Sequence, residues 1–426
     1  MLVAHRGWLW MGVALAWLSP CRMFAAEPLV WPQFRGPTGQ GTSTDKGVPT
    51  TWSETENIVW KTPLPGAGTS SPVVVGKKIF LTCYRGYNVP GESAGEEKSL
   101  ERLLVCFDRA TGKQLWEKVV PSKLPEQDKI RDDHGYASNT PVATADRLFV
   151  FFGKSGVFAF DHDGKQLWQT DVGSELNGWG SAASPILYKN LVIVNASVES
   201  ETLVALDQKT GQEVWRAKGI REAWNTPILV KLPSGKTELV IAISQKVLGF
   251  DPDTGEQLWK CDTDINWYMV PCLVSEGETI YGVGGRSGGA LAVKAGGRGD
   301  VTSSHRLWTG KKGSNVTSPI LYNGHLYWMH ENLGIAYCAE AKTGKIIYEE
   351  RLDRADQVYG SPVLADGKLY YTTRSGRTFV IAAKPEFEKL ATNDLERRGI
   401  FNASPAVADG KLLVRSNKFL YCLGTK

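Results

Sequence analysis

The chain has 426 residues, with 49 Lys and Arg against 45 Asp and Glu and a formal net charge of +4, a balance too even to argue for nucleic acid or an anionic membrane surface as a partner. Its 42% hydrophobic content is that of a folded protein, while 45 Gly, 15 Trp, 14 Tyr and 14 Phe favour short strands, tight turns and aromatic packing over long helices. Length alone leaves open several ordinary domains or one large all-β domain, so internal repeats have to decide.

Residues 1–26 read as an export signal: a basic start at His5 and Arg6, an apolar run from Trp8 to Leu18, then small residues at Ala25 and Ala26. The run is too short to span a bilayer, and no later stretch is long and apolar enough to be a transmembrane segment. Removing Arg6 and Arg22 with this leader leaves 47 basic against 45 acidic residues. The expectation is a protein of the periplasm or cell exterior. Leu18-Ser19-Pro20-Cys21 fits a lipoprotein signal poorly, because a small residue belongs where Pro20 stands. Residues 27–56 form a lead segment and 57–426 the repeat region.

Within that region, Ser or Thr followed by Pro and a short apolar strand recurs at Ser71-Pro72, Thr140-Pro141, Ser184-Pro185, Thr226-Pro227, Ser318-Pro319, Ser361-Pro362 and Ser404-Pro405, with Val270-Pro271 as a degenerate eighth copy. The spacings are 69, 44, 42, 44, 48, 43 and 43 residues, so all but the first match a four-stranded propeller blade. Each copy begins with a hairpin, as in Pro362-Val-Leu-Ala-Asp-Gly-Lys-Leu-Tyr. The second half of the repeat reads Cys106-Phe-Asp-Arg-Ala-Thr-Gly-Lys-Gln-Leu-Trp116, with close copies ending at Trp215 and Trp259 and looser ones at Trp168 and Tyr348.

That unit is structural chemistry. Asp108, Asp207 and Asp251 bond back to the turn backbone, and Gly112, Gly211 and Gly255 supply a positive φ. The ring that follows packs on the neighbouring blade, which a lone four-stranded sheet needs in order to bury both faces. The expected docking residues are Trp60, Trp116, Trp168, Trp215, Trp259, Trp308 and Tyr348. Eight openings with seven internal closings leave the last blade one strand short, and residues 57–64 carry the missing pattern. The prediction is an all-β, eight-bladed propeller whose last blade is closed by the N-terminal strand.

Cys106, Cys338 and Cys422 occupy a small buried slot in three different blades and read as free thiols, as do Cys261 and Cys272. A bridge between Cys83 and Cys106 would need the strict geometry of a disulfide.

The unit Ala-x-Asp-x-x-Thr-Gly-x-x-x-Trp resembles the tryptophan-docking repeat of the pyrroloquinoline-quinone-like (PQQ-like) propeller family. That family includes quinoprotein dehydrogenases and non-enzymatic exported members, among them the scaffold lipoprotein of the outer-membrane barrel-assembly machine. The resemblance covers nearly all of residues 57–424, and Trp31-Pro-Gln-Phe-Arg-Gly-Pro37 looks like the lead segment of exported members. The dehydrogenases use two adjacent cysteines under the quinone, calcium ligands and an Asp base; here no two cysteines are adjacent and no Cys-x-x-Cys-His is present. The resemblance therefore implies fold more than chemistry, and no cofactor is expected.

Loops leading into each blade end at the channel mouth and are rich in aromatic and polar residues: His134, Tyr136, Trp179, Arg221, Trp224, Asn225, Trp267, Tyr268, Asn315, Asp356, Tyr359, Arg398, Phe401 and Asn402. They read either as a funnel for a planar, sugar-like or peptide ligand or as rings filling gaps between inner strands. Two long excursions of the first blade, residues 85–101 and 117–138, should stand side by side as a lid, a docking arm or a solvated decoration. Asp132, Asp133 and His134 are adjacent on a loop and do not make a metal site. The glycines of residues 282–289 and 296–299 lack the Gly-Lys-Ser or Gly-Lys-Thr and the helix of a phosphate loop, and no His-Glu-x-x-His motif is present.

The expected function is that of an exported, monomeric, non-catalytic propeller binding a protein partner or an extended or planar ligand at its mouth. The alternative is a periplasmic sugar or alcohol dehydrogenase using PQQ with calcium.

Overall fold

A computed structural model describes residues 1–3, 28–128, 130, 134–286, 288–395 and 399–425. Residues 4–26 of the expected export signal, Cys21 included, and candidate Arg398 lie outside them. The chain builds eight sheets of at least four antiparallel strands arranged as propeller blades, and the two α-helices among the described residues, Ser197–Ser200 and Thr302–His305, are single turns. Second and third strands of a blade are buried on both faces, as in Arg147–Phe151 and Val157–Asp161, whereas outer strands such as Gln166–Thr170 are largely exposed. Hence the inner part of each repeat reads as continuous apolar runs and the outer part does not.

Blade cores continue across the junctions. Ile193, Ala205 and Trp215 of the third blade share one apolar cluster with Leu239, Ile241 and Phe250 of the fourth. The eighth sheet takes Ile58–Pro63 as its outer strand, paired antiparallel to Phe419–Leu423 with Trp60 opposite Cys422. This joins chain start to chain end and leaves the ring without a gap.

Five docking indoles behave as the repeat predicts. Trp60, Trp168, Trp215 and Trp308 each donate their indole N–H to a backbone carbonyl in the turn of the next blade, at Arg109 (3.1 Å), Gln208 (3.0 Å), Pro252 (3.1 Å) and Ala341 (2.9 Å). A Cβ on Gly255, where φ is +74°, would come within 2.5 Å of Trp215, so the turn glycine is also the bare platform on which the indole lies. Gly112, Gly211 and Gly344 serve Trp60, Trp168 and Trp308 in the same way, Trp116 lies over Gly164, and Tyr348 meets Phe387 of the seventh blade edge-on.

Trp259 corrects the expectation. Its neighbour's turn has been rebuilt, so the indole folds over its own blade onto Gly249, where a Cβ would approach to 2.1 Å, and donates to Glu238 Oε2 at 2.7 Å. The insert that replaces the turn reaches back instead. Gly299–Asp300 adds a short parallel strand beside Trp259–Lys260, while Gly296 N–H and Arg298 also meet the Glu238 carboxylate.

All six described cysteines are buried and free, Cys83 and Cys106 included. Turn aspartates act as predicted: the hydroxyl and amide of Thr111 both bond Asp108 and hold its carboxyl below the usual range.

The lead segment closes the channel end opposite the mouth. Leu29–Trp31 pairs with Val73–Val75 on the inner edge of the first blade, and the chain then crosses the axis. Arg35 Nη2 donates to Pro319 O of the sixth blade (2.5 Å) and to Gln40 O (2.8 Å), and Gln40 Oε1 accepts from Ser275 of the fifth. Further on, Ser43 bonds Leu364, Asp45 caps Gly410, and Trp52 stacks on Tyr370 at 6.3 Å.

Candidate functional site

The blade-opening residues form a belt around the channel. From Ser71 to Ser361, seven opening amides donate to the side chain that opens the next blade: Ser71 to Thr140 (2.9 Å), Thr140 to Ser184 (3.0 Å), Ser184 to Thr226 (3.0 Å), Thr226 to Cys272 Sγ (3.4 Å), Cys272 to Ser318 (2.9 Å), Ser318 to Ser361 (3.1 Å) and Ser361 to Ser404 (2.9 Å). A small hydroxyl recurs because it satisfies an amide that the narrow channel wall would otherwise bury unpaired, and the proline after it brings no further N–H. In the fifth blade Cys272, not Val270, holds the belt position, so the opening at Val270-Pro271 is displaced by two residues and the neighbouring belt separations are 46 and 46.

Above the belt lies a cavity of about 190 Å³. Two residues before each belt residue, every repeat contributes one side chain to its wall: Thr69, Ser138, Ala182, Trp224, Val270, Val316, Tyr359 and Asn402. Trp179, Tyr268, Asn315 and His134 join them, and Phe34 of the lead segment forms the floor, separating this space from a second one of about 220 Å³ beside the inner strands of the third and fourth blades.

The wall is two-sided. Trp179, Trp224 and Tyr268 come from three successive loops, with Tyr268 at their centre, 5.6 Å from Trp179 and 5.3 Å from Trp224. Trp224 is fixed by its indole bond to Gly180 O at 2.8 Å. The other arc carries the polar groups: Thr69 Oγ1 donates to Ser138 Oγ (3.0 Å), His134 Nδ1 lies 2.9 Å from Ser138 Oγ, and Asn315 and Asn402 complete it, with Val316 and Tyr359 between the two asparagines.

The remaining sequence candidates lie elsewhere. Tyr136 is buried in the first blade's arm with its hydroxyl on Gln127 O, and Asn225 braces the backbone at Ala242 and Met269. Arg221 pairs with Glu201, Asp356 accepts from Ser375, and Phe401 is core against Gly376 and Tyr421. Trp267 stands at the rim, 42% exposed, 5.1 Å from Tyr268 and beneath Arg286 at 5.2 Å. Thr69, Ser138, Ala182, Val270, Val316 and Phe34 were missed. Counting two positions back from each belt residue would have found all but Phe34.

The first blade's excursions do stand side by side: Tyr87 and Asn88 both donate to Asp128 O, and Arg102 holds Glu126 in a buried ion pair at 2.8 Å. Beside that pair, in a small cavity also lined by Lys154, Glu175 and Ser181, lies Glu199. Burial pushes its carboxyl up to about 7, and its Oε2 has no hydrogen-bond partner among the described residues.

A quinone with calcium would need cationic groups to answer the quinone carboxylates and a convergent set of carboxylate oxygens for the metal. Among the described residues no Asp, Glu, Lys or Arg lines the mouth cavity, and no three His, Cys, Asp or Glu side chains converge on a metal position. The residues present do not fit that pair. No helix among the described residues is long and apolar enough to cross a membrane.

A chain named outer membrane protein assembly factor BamB from Burkholderia pseudomallei (strain K96243) is 23% identical over 379 residues, covering 81% of this chain and 85% of the relative. Among solved structures, BamB from Moraxella catarrhalis superposes with a TM-score of 0.59 over 87% of this chain and 97% of that one, at 12% identity. A europium-containing methanol dehydrogenase does so with a TM-score of 0.66 over 93% and 98%, also at 12%, so these likenesses speak to the fold alone. The family model described as outer membrane protein assembly factor BamB, a PQQ-like repeat model, matches residues 98–223 and 200–424, and the chain belongs to that PQQ-like propeller family.

Proposed function

We propose that this protein is an exported, non-catalytic binding scaffold of the cell envelope, with the channel mouth as its recognition face. The observation that carries the reading is the mouth cavity itself: aromatic on one side, neutral and polar on the other, and poor in the groups that quinone and calcium require. Relatives named as outer membrane protein assembly factors support an envelope role, in which the propeller presents a rigid surface and does no chemistry. The first blade's arm, standing over the junction with the second, enlarges that surface for a protein partner or an extended ligand.

The competing reading, a quinone-dependent sugar or alcohol oxidoreductase, makes a different demand on the purified protein. With saturating PQQ and calcium the scaffold reading expects an unchanged Tm and no reduction of an artificial electron acceptor by alcohols or sugars. A ligand selective for the folded state raises Tm, so a rise of several degrees, or quinone-dependent turnover, overturns the scaffold reading. Fractionation of the source cells tests export separately: the chain should be recovered from the envelope and not from the cytoplasm.

A further inference from the structure

We propose that the mouth cavity and the aromatic track leading out of it bind a neutral oligosaccharide chain. The inference rests on the mouth being the recognition face. Three observations carry it.

The first is the division of the wall. Pyranose rings have an apolar C–H face and an edge of hydroxyls that both donate and accept. A cavity suited to one therefore sets flat rings against a mixed, uncharged polar arc. Trp179, Trp224 and Tyr268 supply the rings, and Thr69, Ser138, Asn315 and Asn402 supply the arc. The side-chain carbonyl of Asn315 is buried without a hydrogen-bond partner among the described residues, an acceptor that a ligand hydroxyl would satisfy.

The second is that no Asp, Glu, Lys or Arg stands on the described lining, which disfavours a carboxylate- or phosphate-bearing ligand, since a buried charge without a counter-charge is costly.

The third is the track. From Trp224, 9% exposed, the rings run through Tyr268 to Trp267, 42% exposed, each 5.3 or 5.1 Å from the central tyrosine. Trp267 holds a φ of +98°, a conformation that a bulky side chain adopts only under constraint, and Arg286 stacks on it at 5.2 Å. A line of rings from channel to rim suits a polymer with successive sugar units, where a single sugar would need only the cavity.

The test is calorimetry and tryptophan fluorescence on the full chain with cellotetraose, maltotetraose, mannotetraose and chitotetraose, the corresponding disaccharides, and tetragalacturonate as charged comparator. At least one neutral tetrasaccharide should bind more tightly than its disaccharide. Trp267→Ala should weaken that tetrasaccharide about tenfold, leave the disaccharide unchanged and leave Tm unchanged, while Trp267→Phe should retain binding. The proposal is overturned if no neutral tetrasaccharide binds at about 10 mM, where even a millimolar Kd registers. It is equally overturned if tetragalacturonate binds as tightly as the neutral chains, or if Trp267→Ala leaves tetrasaccharide affinity unchanged. None of these failures touches the scaffold reading, which falls only on quinone-dependent stabilisation or turnover.

Discussion

The junctions on either side of the fourth blade solve one problem in two ways. Between the third and fourth blades, Trp215 reaches across to Gly255 and a turn carbonyl. Between the fourth and fifth, the corresponding Trp259 stays at home on Gly249, and the insert of the fifth blade comes to it. An indole docks on its neighbour only where that neighbour offers a glycine platform and an acceptor. Where the platform is lost, the ring turns to the nearest bare position in its own sheet. The change also alters what can be buried: Glu238 is tolerated because an indole N–H, an amide and Arg298 answer both its oxygens.

The largest expected effect separates the two indoles. Trp259→Ala should cost about 4 kcal/mol in urea denaturation and exceed Trp215→Ala, because it empties a fully buried site and strips Glu238 of a donor. Equal losses at the two positions would break the contrast. Next, Gly255→Ala should cost about 2 kcal/mol through its positive φ and its collision with Trp215. Combined with Trp215→Ala, that cost should shrink, since the collision disappears.

A second buried carboxylate sharpens the point about Glu238. Glu199 faces Ser181, Arg102, Glu126, Lys154 and Glu175 but leaves Oε2 bare, and burial raises its pKa from 4.5 to about 7. Its folded-state pKa lies above the unfolded value, so its stabilising contribution is whole below about pH 4.5 and is lost as the pH climbs through about 7. Stability of the wild type should fall over that window by on the order of 2 kcal/mol, and Glu199→Gln should flatten the change. An identical pH profile for the two proteins would show that Glu199 is answered as fully as Glu238.

The smallest effects belong to the belt, which runs unbroken past both junctions. Ser361→Ala should cost about 1 kcal/mol, because the Ser318 amide loses its acceptor and the Ser318 hydroxyl its donor. Cys272→Ser, which restores a hydroxyl at the one sulfur position, should change stability by less than about 0.5 kcal/mol.

Much of the propeller was legible because its signals are local. The hairpins, the aspartate-threonine-glycine turns and the strand pattern at residues 57–64 need no partner further than one repeat away, or repeat often enough to be counted. Site residues were less legible. His134, Trp179, Trp224, Tyr268, Asn315, Tyr359 and Asn402 reach the cavity, yet Phe401, one residue before Asn402, is core. A loop's composition does not say which of two neighbouring side chains points to the axis; the register against the belt does.

By itself, then, the amino-acid order determined the ring: eight units, their turn chemistry, and a closing strand borrowed from the start of the chain, all of which follow from short-range backbone preference repeated at a near-constant interval. Only the tertiary structure decided which way Trp259 turns, which rings share a wall, and where the lead segment seats. Those outcomes depend on space between blades brought together from distant parts of the chain, as Arg35 and Pro319 are across 284 residues, and such packing is a property of the closed ring that no single repeat contains.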